Sequence, residues 1–378
     1  LFYYFCRVKK TKLTKIRGQT MKRNLVKVSF ENKTIFVGMD VHQKTWHITI
    51  MFDGYVRSFS YIANAKQFAE YIKSEYQGAT FKAGYEAGCF GYWIKAQLEE
   101  EGIETIVINP GDIPTSPKDS EKKTDKIDSK KIAYSIMHGY VKSIYVPDRE
   151  SQEHRDLIRQ RDELVRKKTR IKNQIKAKLK FYGISYPEEY EDRSKHWSKN
   201  FINWLKTIKY ETTSGKETMN SMLRELEFLR AEILQITRLI RALSKTEKYA
   251  EKNKILLSIP GIGMIASMII LTEIIDIDRF KSKDEFLSYL GLTPTERSSG
   301  EKRRIGHMTK RCNHTLRSVL IEASWIAIRR DPAMTMYYNE VYKKIGKAKA
   351  IIKVGRKLAS RVRYLWKRNE PYVFGIAA

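Results

Sequence analysis

The stretch from Thr34 to Tyr61, TIFVGMDVHQKTWHITIMFDGYVRSFSY, decides the fold of the N-terminal half of this 378-residue chain. β-branched and aromatic residues alternate with polar ones along it, which is the pattern of strands that bury one face. Asp53-Gly54 separates two such runs, and this dipeptide is a strong signal for a β-hairpin. The sequence therefore predicts a meander of strands that begins at Thr34.

Strands and helices alternate after this meander. Hydrophobic spacing predicts three helices, over residues 65–74, 90–101 and 125–139. It also predicts two strands, over residues 80–85 and 104–109. Such an alternation is typical of a mixed sheet with helices packed against it. We predict an α/β domain over residues 34–148.

Two long helices are predicted after this domain. The first, over residues 151–180, has 11 basic residues against three acids between Arg155 and Lys180. The second has apolar residues at alternating steps of four and three, at Met222, Leu226, Leu229, Ile233, Ile236, Ile240 and Leu243. That spacing is a heptad seam, which predicts a helical coiled-coil region over residues 149–250. The two helices would pair with each other in antiparallel orientation, or with a second subunit.

The charge balance favours a polyanionic partner. The chain carries 72 Lys and Arg residues against 43 Asp and Glu residues, a formal net charge of +29. Each cation placed on a phosphate backbone releases condensed counterions, so such a chain gains affinity for nucleic acid. A hydrophobic fraction of 42% excludes general disorder, because it suffices for a real core.

Cysteine usage and hydropathy limit the other classes of protein. Cys6, Cys89 and Cys312 are too far apart for a disulfide framework or a paired-cysteine zinc site. This fits a reducing compartment, and we expect a cytoplasmic protein. The longest apolar run, Met264 to Ile275, is shorter than the ~18 residues of a membrane span and contains Glu273, so no membrane partner is expected.

The N-terminal residues differ from the rest of the chain. Residues 1–20 contain six basic residues and no acid, and Met21 opens a run that leads into the first strand. We expect residues 1–33 to form a basic arm without fixed structure. The alternative is that residues 1–20 are translated sequence upstream of the true start.

Four carboxylates are the candidate metal ligands. Asp40 lies inside a strand-like run between apolar residues, where an acid is unfavourable without a partner or a metal. Glu86 follows the apolar run of a later strand, and small neighbours leave room around it. Asp125 and Asp128 are three residues apart at the start of a helix, so they project from one face.

Three of the four acids also have an ordinary structural explanation. Asp40 could form a salt bridge within the sheet, and Asp125 and Asp128 could cap the helix N-terminus. The combination instead suits two Mg²⁺ ions about 3.5–4 Å apart, which stabilise the attacking and leaving oxygens of a phosphoryl transfer. Mn²⁺ can take the same place. Four negative charges this close would repel one another without cations.

Three blocks of the N-terminal half carry a family resemblance. FVGMDVHQKTWHI, GYEAG and KKTDKIDSKKIA resemble the N-terminal half of DEDD transposases of the insertion-sequence 110/1111 family. That domain is similar to Holliday-junction resolvases of the RuvC type, so the resemblance implies an RNase H-like sheet. It also implies that Asp40, Glu86, Asp125 and Asp128 are the four catalytic acids.

The C-terminal half contains a turn that is typical of a helix-hairpin-helix. In SIPGIGMIAS, Gly261 and Gly263 would let backbone N–H groups approach a phosphate at a helix N-terminus. The alternative is an ordinary turn between helices. The block RFKSKDEFLSYLGLTPTERSSGEKRRIGHMTKRCNHTLRSVLIEASW then resembles the second transposase domain of the same family. We predict a mostly α-helical transposase domain over residues 251–378, with a strongly basic last helix from Val341 to Arg368.

The resemblance implies a nucleophilic serine in this second domain. Ser299 lies before Gly300 in a basic loop, and by itself it would be an ordinary solvated residue, because no His or Asp partner at fixed spacing activates it. In such transposases the serine before that glycine is implied to form a phosphoserine link to the cut DNA. The matching residue is Ser299, with Ser298 as the alternative.

The resemblance also implies the partners. These are the DNA of the element ends and of the target, a structured guide RNA from the element itself, and further copies of the chain in a homodimer or homotetramer. We expect phosphates to be bound by the two glycines of the turn and by basic residues at eleven positions, Arg155, Arg159, Lys167, Lys168, Arg170, Lys172, Lys302, Arg303, Arg304, Lys310 and Arg311.

Two other functions fit the same residues. A stand-alone, structure-selective endonuclease would cut branched DNA with metal-activated water and would not need Ser299. A non-enzymatic basic scaffold would use its acids structurally, and it would show no stabilisation by metal that depends on those carboxylates.

Overall fold

The computed structural model describes residues 29–114, 124–296 and 305–374. The chain divides into two compact units, one up to Val146 and one from Pro147 onward. The finer division of the second unit into a coiled-coil region and a transposase domain stays a prediction.

The first unit is built on a five-stranded mixed sheet. Its strands are β1 (Thr34–Val41), β2 (Thr45–Phe52), β3 (Tyr55–Ile62), β4 (Thr80–Glu86) and β5 (Glu104–Ile108), in the order β3-β2-β1-β4-β5. The first three strands form the predicted antiparallel meander, whereas β4 and β5 run parallel to β1. This mixed α/β unit is confirmed, and its sheet is compatible with the nuclease fold that the resemblance implies.

The predicted hairpin joins β2 to β3. Phe52 pairs with Tyr55, which leaves Asp53 and Gly54 as a two-residue loop with φ angles of 43° and 80°. Positive φ at both positions is what the tightest hairpin turns require, and it explains why Asp-Gly stands here. The local sequence alone therefore fixes the register of this strand pair.

The packed part of the sheet unit begins before Thr34. Phe30, which the sequence assigns to the basic arm, contacts the rings of Phe52 and Tyr76 edge-on. Its backbone N–H also donates to the carbonyl of Gln77 at 2.8 Å. Residues 1–28 lie outside the described residues.

Helices cover both faces of the sheet. They are α1 (Ala65–Glu75), α2 (Trp93–Glu100) and α3 (Asp125–Met137). The side chains of Ile35, Val37 and Met39 are fully buried in one core together with residues of α1 and α2. Because side chains alternate along a strand, Gly38 and Asp40 face the other way, toward α3.

Helix α3 lies directly on the backbone of β1. A Cβ atom added at Gly38 would stand 2.1 Å from the carbonyl oxygen of Ser129 and 2.3 Å from the nitrogen of Ala133. At Gly84 of β4, a Cβ would lie 2.7 Å from a side-chain carbon of Ile136. Glycine at these two positions therefore allows the helix to approach both central strands.

The second unit is mostly helical. Its helices are α4 (Arg149–Phe181), α5 (Lys199–Thr207), α6 (Thr213–Leu243), α7 (Glu247–Ser258), α8 (Met264–Ile274), α9 (Lys283–Tyr289), α10 (His314–Arg330), α11 (Pro332–Ile345) and α12 (Lys347–Arg368), and a short strand pair is formed by β6 (Pro294–Glu296) and β7 (Ile305–Met308). A continuous set of buried apolar side chains runs from Ile158 in α4 to Trp366 in α12. Within the described parts of the chain, none of the helices is long and apolar enough to cross a membrane.

The two long helices, α4 and α6, pack against each other. Arg161 of α4 donates to Thr237 of α6 at 2.8 Å, whereas Lys168 lies in the field of Arg230. Residue numbers that rise along α4 therefore lie beside residue numbers that fall along α6, so the two helices are antiparallel. The predicted seam is buried at its five central positions, Leu226, Leu229, Ile233, Ile236 and Ile240, whereas its outer positions Met222 and Leu243 are only partly buried. A true coiled coil stays a prediction.

Two details of the helical unit concern glycine. Gly261 has a φ of 93° in the turn between α7 and α8, as a Pro-Gly turn leads one to expect. The prediction of a single final helix from Val341 to Arg368 is wrong, because the chain breaks at Gly346, whose φ is 77°. A positive φ ends one helix there and the next begins immediately.

Substitution of Gly38 by alanine tests the close packing of α3. The added methyl group would force the α3 backbone away from β1, and we expect the free energy of unfolding to fall by about 3 kcal/mol. Gly88→Ala is the matched control, because a Cβ there meets nothing nearer than 4.0 Å. Thermal melts of both variants check this, and a Gly38→Ala protein that melts like the control would contradict it.

Candidate active site

Two of the predicted acids stand at the same edge of the sheet. Asp40 follows Met39 on β1, and Glu86 follows Tyr85 on β4, where Met39 and Tyr85 are register partners in the parallel pair. Both acids are half-buried. Glu86 lies two residues after Gly84, as Asp40 lies two residues after Gly38, so alternation directs both carboxylates to the face that α3 covers.

Helix α3 brings the other two acids to this edge. Asp125 is its first residue, and Asp128 belongs to the same first turn. The N-cap is Thr124, whose side-chain oxygen accepts from the N–H of Ile127. Thr124 therefore supplies the cap, and N-capping does not account for either aspartate.

Asp40, His42 and Asp125 form the candidate metal-binding group. Their ligand atoms all lie within 4.8 Å of one another. His42 Nε2 is 3.4 Å from an oxygen of Asp40 and 3.5 Å from an oxygen of Asp125. The sequence separates Asp40 from Asp125 by most of a domain, and the packing of α3 unites them.

His47 extends this group on the neighbouring strand. It is the register partner of Asp40 on β2, and its Nε2 lies 3.3 Å from an oxygen of Asp125. Its Nδ1 is 3.2 Å from the hydroxyl of Ser60, which holds the ring in place. Sequence reasoning missed both histidines. The register of the hairpin, which places His47 opposite Asp40, could have found one of them.

The charges at this edge favour a bound cation. Burial raises the pKa of the Asp40 carboxyl, and the nearby Asp125 and Asp128 add to that effect. His42 and His47 act in the opposite direction, but the pKa stays above its ordinary value. A cation would relieve this repulsion between carboxylates.

The donor atoms fit a divalent metal ion. Asp40 and Asp125 offer oxygen and His42 offers nitrogen, a mixed set that first-row divalent ions accept more readily than Mg²⁺ does. Of the four predicted acids, Asp40 and Asp125 belong to this group. Asp128 acts on Asp40 through its charge, and Glu86 stands beside them at the end of β4.

A buried hydrogen bond fixes α3 above the site. The hydroxyls of Thr49 on β2 and Ser129 on α3 are 2.9 Å apart, and both residues are fully buried. Ser129 also donates to the carbonyl of Lys126 at 3.2 Å. This polar link lies one residue after Asp128, so it helps to set the position of the first turn of the helix.

Two of the predicted phosphate-binding residues make contacts inside the helical unit. Arg159 forms a bidentate ion pair with the buried Glu273, with distances of 2.7 and 2.9 Å. Arg155 donates to the carbonyl of Thr272 at 3.1 Å. Burial raises the pKa of Glu273, but the hydrogen bonds and charge of Arg159, with the amide of Asn313, lower it below its ordinary value.

The other predicted cations of α4 lie on its solvent side. Lys167 and Arg170 are exposed, and Lys168 and Lys172 are half-buried. Burial lowers the pKa of Lys168, and the charges of Arg161 and Arg230 lower it further. The ammonium of Lys172 lies 5.1 Å from the centre of the Trp197 ring. Burial lowers the pKa of Lys172, and the charges of Lys168 and Arg230 lower it further. Arg161, Lys168, Lys172 and Arg230 are therefore crowded together.

The glycines of the predicted phosphate turn differ from each other. A Cβ at Gly261 would stand 2.2 Å from the carbonyl oxygen of Ala323, so this glycine allows the turn to approach α10. Gly263 is the N-cap of α8 and has open space around it. Lys310 and Arg311 are exposed before α10. The remaining predicted residues, Ser298, Ser299, Lys302, Arg303 and Arg304, lie outside the described residues.

Two family models match the chain. A model for DEDD transposases of IS110, described as a transposase, matches residues 37–184. A model described as the transposase IS116/IS110/IS902 family matches residues 253–339. The two matches together span more than half of the chain and include the candidate metal-binding group. The chain therefore belongs to the IS110 family of transposases, enzymes that recombine the DNA of insertion sequences.

Individual relatives agree with this assignment. A Sinorhizobium fredii protein named as transposase y4rJ is 28% identical over 371 residues, which cover 88% of this chain and 91% of the relative. The transposase of the element IS1111A of Coxiella burnetii is 24% identical over 283 residues, covering 72% and 74%. The S. fredii transposase y4qE is 29% identical over 245 residues, covering 64% of this chain and 57% of that relative.

Replacement of Arg159 by alanine tests whether this residue is structural. The change leaves the carboxylate of Glu273 buried without its main partner, so we expect the free energy of unfolding to fall by about 3 kcal/mol. Lys167→Ala is the control, because Lys167 is exposed on the same helix and its removal should cost less than about 0.5 kcal/mol. Urea denaturation measures both, and equal stability of the two variants would contradict the structural role of Arg159.

Proposed function

We propose that this transposase cuts and rejoins DNA at the ends of its element, with divalent metal ions held by Asp40, Glu86, Asp125 and Asp128. The observation that carries the proposal is the convergence of Asp40, His42 and Asp125 within 4.8 Å at the end of β1. The three ligand atoms come from two distant segments of the sequence, and a bound cation would offset the repulsion between the two carboxylates.

We propose that His42 joins the four acids as a nitrogen ligand. Mg²⁺ would suit a site made of the four carboxylates alone. Mn²⁺ would suit a site that also includes the His42 nitrogen at least as well as Mg²⁺ does. A bound divalent ion would polarise the scissile phosphate and stabilise the charge that develops on the attacking and leaving oxygens. Asp40 and Asp125 hold that position, and His47 orients Asp125 from the neighbouring strand.

Ser299 is the proposed nucleophile, with Ser298 as the alternative. Its hydroxyl oxygen would form a bond to phosphorus while the bond from phosphorus to the leaving deoxyribose oxygen breaks, and the hydroxyl proton would pass to the leaving oxygen through solvent or a base. The product is a phosphoserine link that conserves the energy of the phosphodiester. A free DNA hydroxyl can then attack that link, release the serine and join a new strand.

The cation-rich surface supports nucleic-acid partners beyond the cut strand. Lys168 and Lys172 lie one helical turn apart on α4, where neighbouring positive charges lower the pKa of both, and such crowding of cations favours bound phosphates. Lys167 and Arg170 are exposed on the same helix. We propose that a structured guide RNA and the element DNA use such surfaces, Lys310, Arg311 and the N-terminus of α8 at Gly263 among them. A homodimer or homotetramer is proposed from the family resemblance.

A second candidate is a stand-alone, structure-selective endonuclease. It is favoured by one observation, namely that the candidate metal-binding group lies entirely within the first unit. Such an enzyme would use metal-activated water and leave no protein attached to the DNA.

The two candidate functions differ in whether Ser299 becomes covalently linked to the cut DNA. Incubation with DNA of the element ends and Mn²⁺ or Mg²⁺ should give a covalent protein–DNA adduct, because the serine keeps the phosphate until a second strand attacks. We expect Ser299→Ala to form no adduct. In Asp40→Ala the rate of cleavage should fall by at least about a hundredfold. Denaturing gels with labelled DNA measure both.

The neighbouring Ser298→Ala variant decides between the two serines, because loss of the adduct there would make Ser298 the nucleophile, and the surface variant Asp53→Asn is the control. Both should retain the adduct, and Asp53 is an exposed carboxylate on the same sheet, paired only with Lys33 among its described contacts. Nicking that survives in Ser299→Ala without an adduct would support the endonuclease instead. Cleavage that survives in Asp40→Ala would rule out the metal mechanism for both candidates.

A further inference from the structure

Three aromatic rings form an exposed cluster at the far end of α3. The rings of Tyr134 and His138 have centroids 4.0 Å apart, and those of His138 and Tyr140 stack at 5.6 Å with their planes 23° apart. Tyr134 is 47% exposed and Tyr140 is 58% exposed, and His138 is exposed as well. Single exposed aromatics are common on proteins, but three in mutual contact present a continuous apolar surface to water.

The backbone builds this cluster actively. Helix α3 ends at Met137, and Gly139 adopts a φ of 66° that turns the chain back. The N–H of Tyr140 then donates to the carbonyl of Ser135 at 2.9 Å, which closes the helix end. The turn places the Tyr140 ring against His138, so the three rings lie in contact with one another.

The surroundings of the rings are basic. From Ser129 to Val146 the chain contains Lys130, Lys131 and Lys142 and no acid. Lys130 is exposed and lies one helical turn before Tyr134 on the same side of α3. A flat aromatic surface flanked by cations matches a polyanion whose planar groups are free to stack, which is the chemistry of a single nucleic-acid strand.

We propose that the rings of Tyr134, His138 and Tyr140 bind unpaired bases of the DNA strand next to the cleavage site. The partner is DNA because the same helix carries Asp125 and Asp128, the acids proposed to hold the scissile phosphate. Tyr134 lies six residues after Asp128, which is about 9 Å along the helix axis at ~1.5 Å per residue. The two residues also lie about 120° apart around the helix, so a strand that reaches both would pass around the outer side of α3, and the rings would engage a base several nucleotides from the cut.

This proposal rests on the proposed function, which makes the bound strand the DNA strand that is cut. It additionally requires that the bases of this strand be unpaired. A base pair inside a duplex is already stacked, so the rings gain little from it. A strand that has been opened around the cut exposes base faces, and each base that stacks on an aromatic ring adds to the affinity. The cluster would therefore hold the strand open beside the metal-binding group.

Binding of short fluorescent DNA to the full-length protein tests the cluster. We expect the double variant Tyr134→Ala/Tyr140→Ala to bind single-stranded DNA at least about tenfold more weakly, with duplex affinity within about twofold of wild type. The conservative pair Tyr134→Phe/Tyr140→Phe should bind like wild type, because it keeps the rings. Tyr364→Ala, which removes an equally exposed tyrosine beside Arg368, is the matched control and should change nothing.

Several results would overturn the proposal. These are unchanged single-strand binding in the alanine pair, an equal loss in the phenylalanine pair, or an altered oligomeric state without a change in DNA binding, which would make the cluster a protein interface. Tighter binding of an RNA strand by more than about tenfold, lost in the alanine pair, would reassign the surface to RNA. If Asp40→Ala keeps cleavage while the alanine pair loses strand binding, the proposed function fails and the aromatic surface stands.

Discussion

Helix α3 lies so close to strand β1 that no side chain fits at Gly38, where a Cβ would meet the backbone of Ser129 and Ala133. The buried hydroxyl pair of Thr49 and Ser129 then fixes the helix along its axis. Together these contacts set where the first turn of α3 begins. Because that turn carries Asp125, the distance between this acid and the end of β1 follows from backbone packing and not from attraction between the acids themselves, which repel.

The rest of the site is arranged around this constraint. Strand register places His47 opposite Asp40, and the short turn after β1 returns His42 toward both aspartates. Negative charge is thus gathered at one edge of a protein whose net charge is +29. A polyanion drawn to the cationic surface would meet a cluster of carboxylates at the place of reaction, and bound cations reconcile the two.

Local patterns predicted much of this fold, because strand alternation, helical spacing and the Asp53-Gly54 turn are all set by near neighbours. Candidate acids could be named as well, since a carboxylate such as Asp40 inside an apolar strand is conspicuous, and their role as metal ligands stays a prediction. What the pattern could not give was contact between distant residues. The ion pair of Arg159 with Glu273 joins positions far apart in sequence. The spacing of residues along the helix does not distinguish an arginine in a buried ion pair from an arginine that is available to bind phosphate. The break at Gly346 was missed because helical periodicity continues across it.

The central claim is that the packing of α3 builds a metal centre from Asp40, His42 and Asp125. Crystals of the protein soaked in Mn²⁺ and measured at the manganese absorption edge test this most directly, because anomalous density locates the ion without reference to activity. We expect a peak about 2.2 Å from an oxygen of each aspartate and from Nε2 of His42. A peak that lies elsewhere, or ion-free aspartates in crystals that bind manganese at other residues, would contradict it.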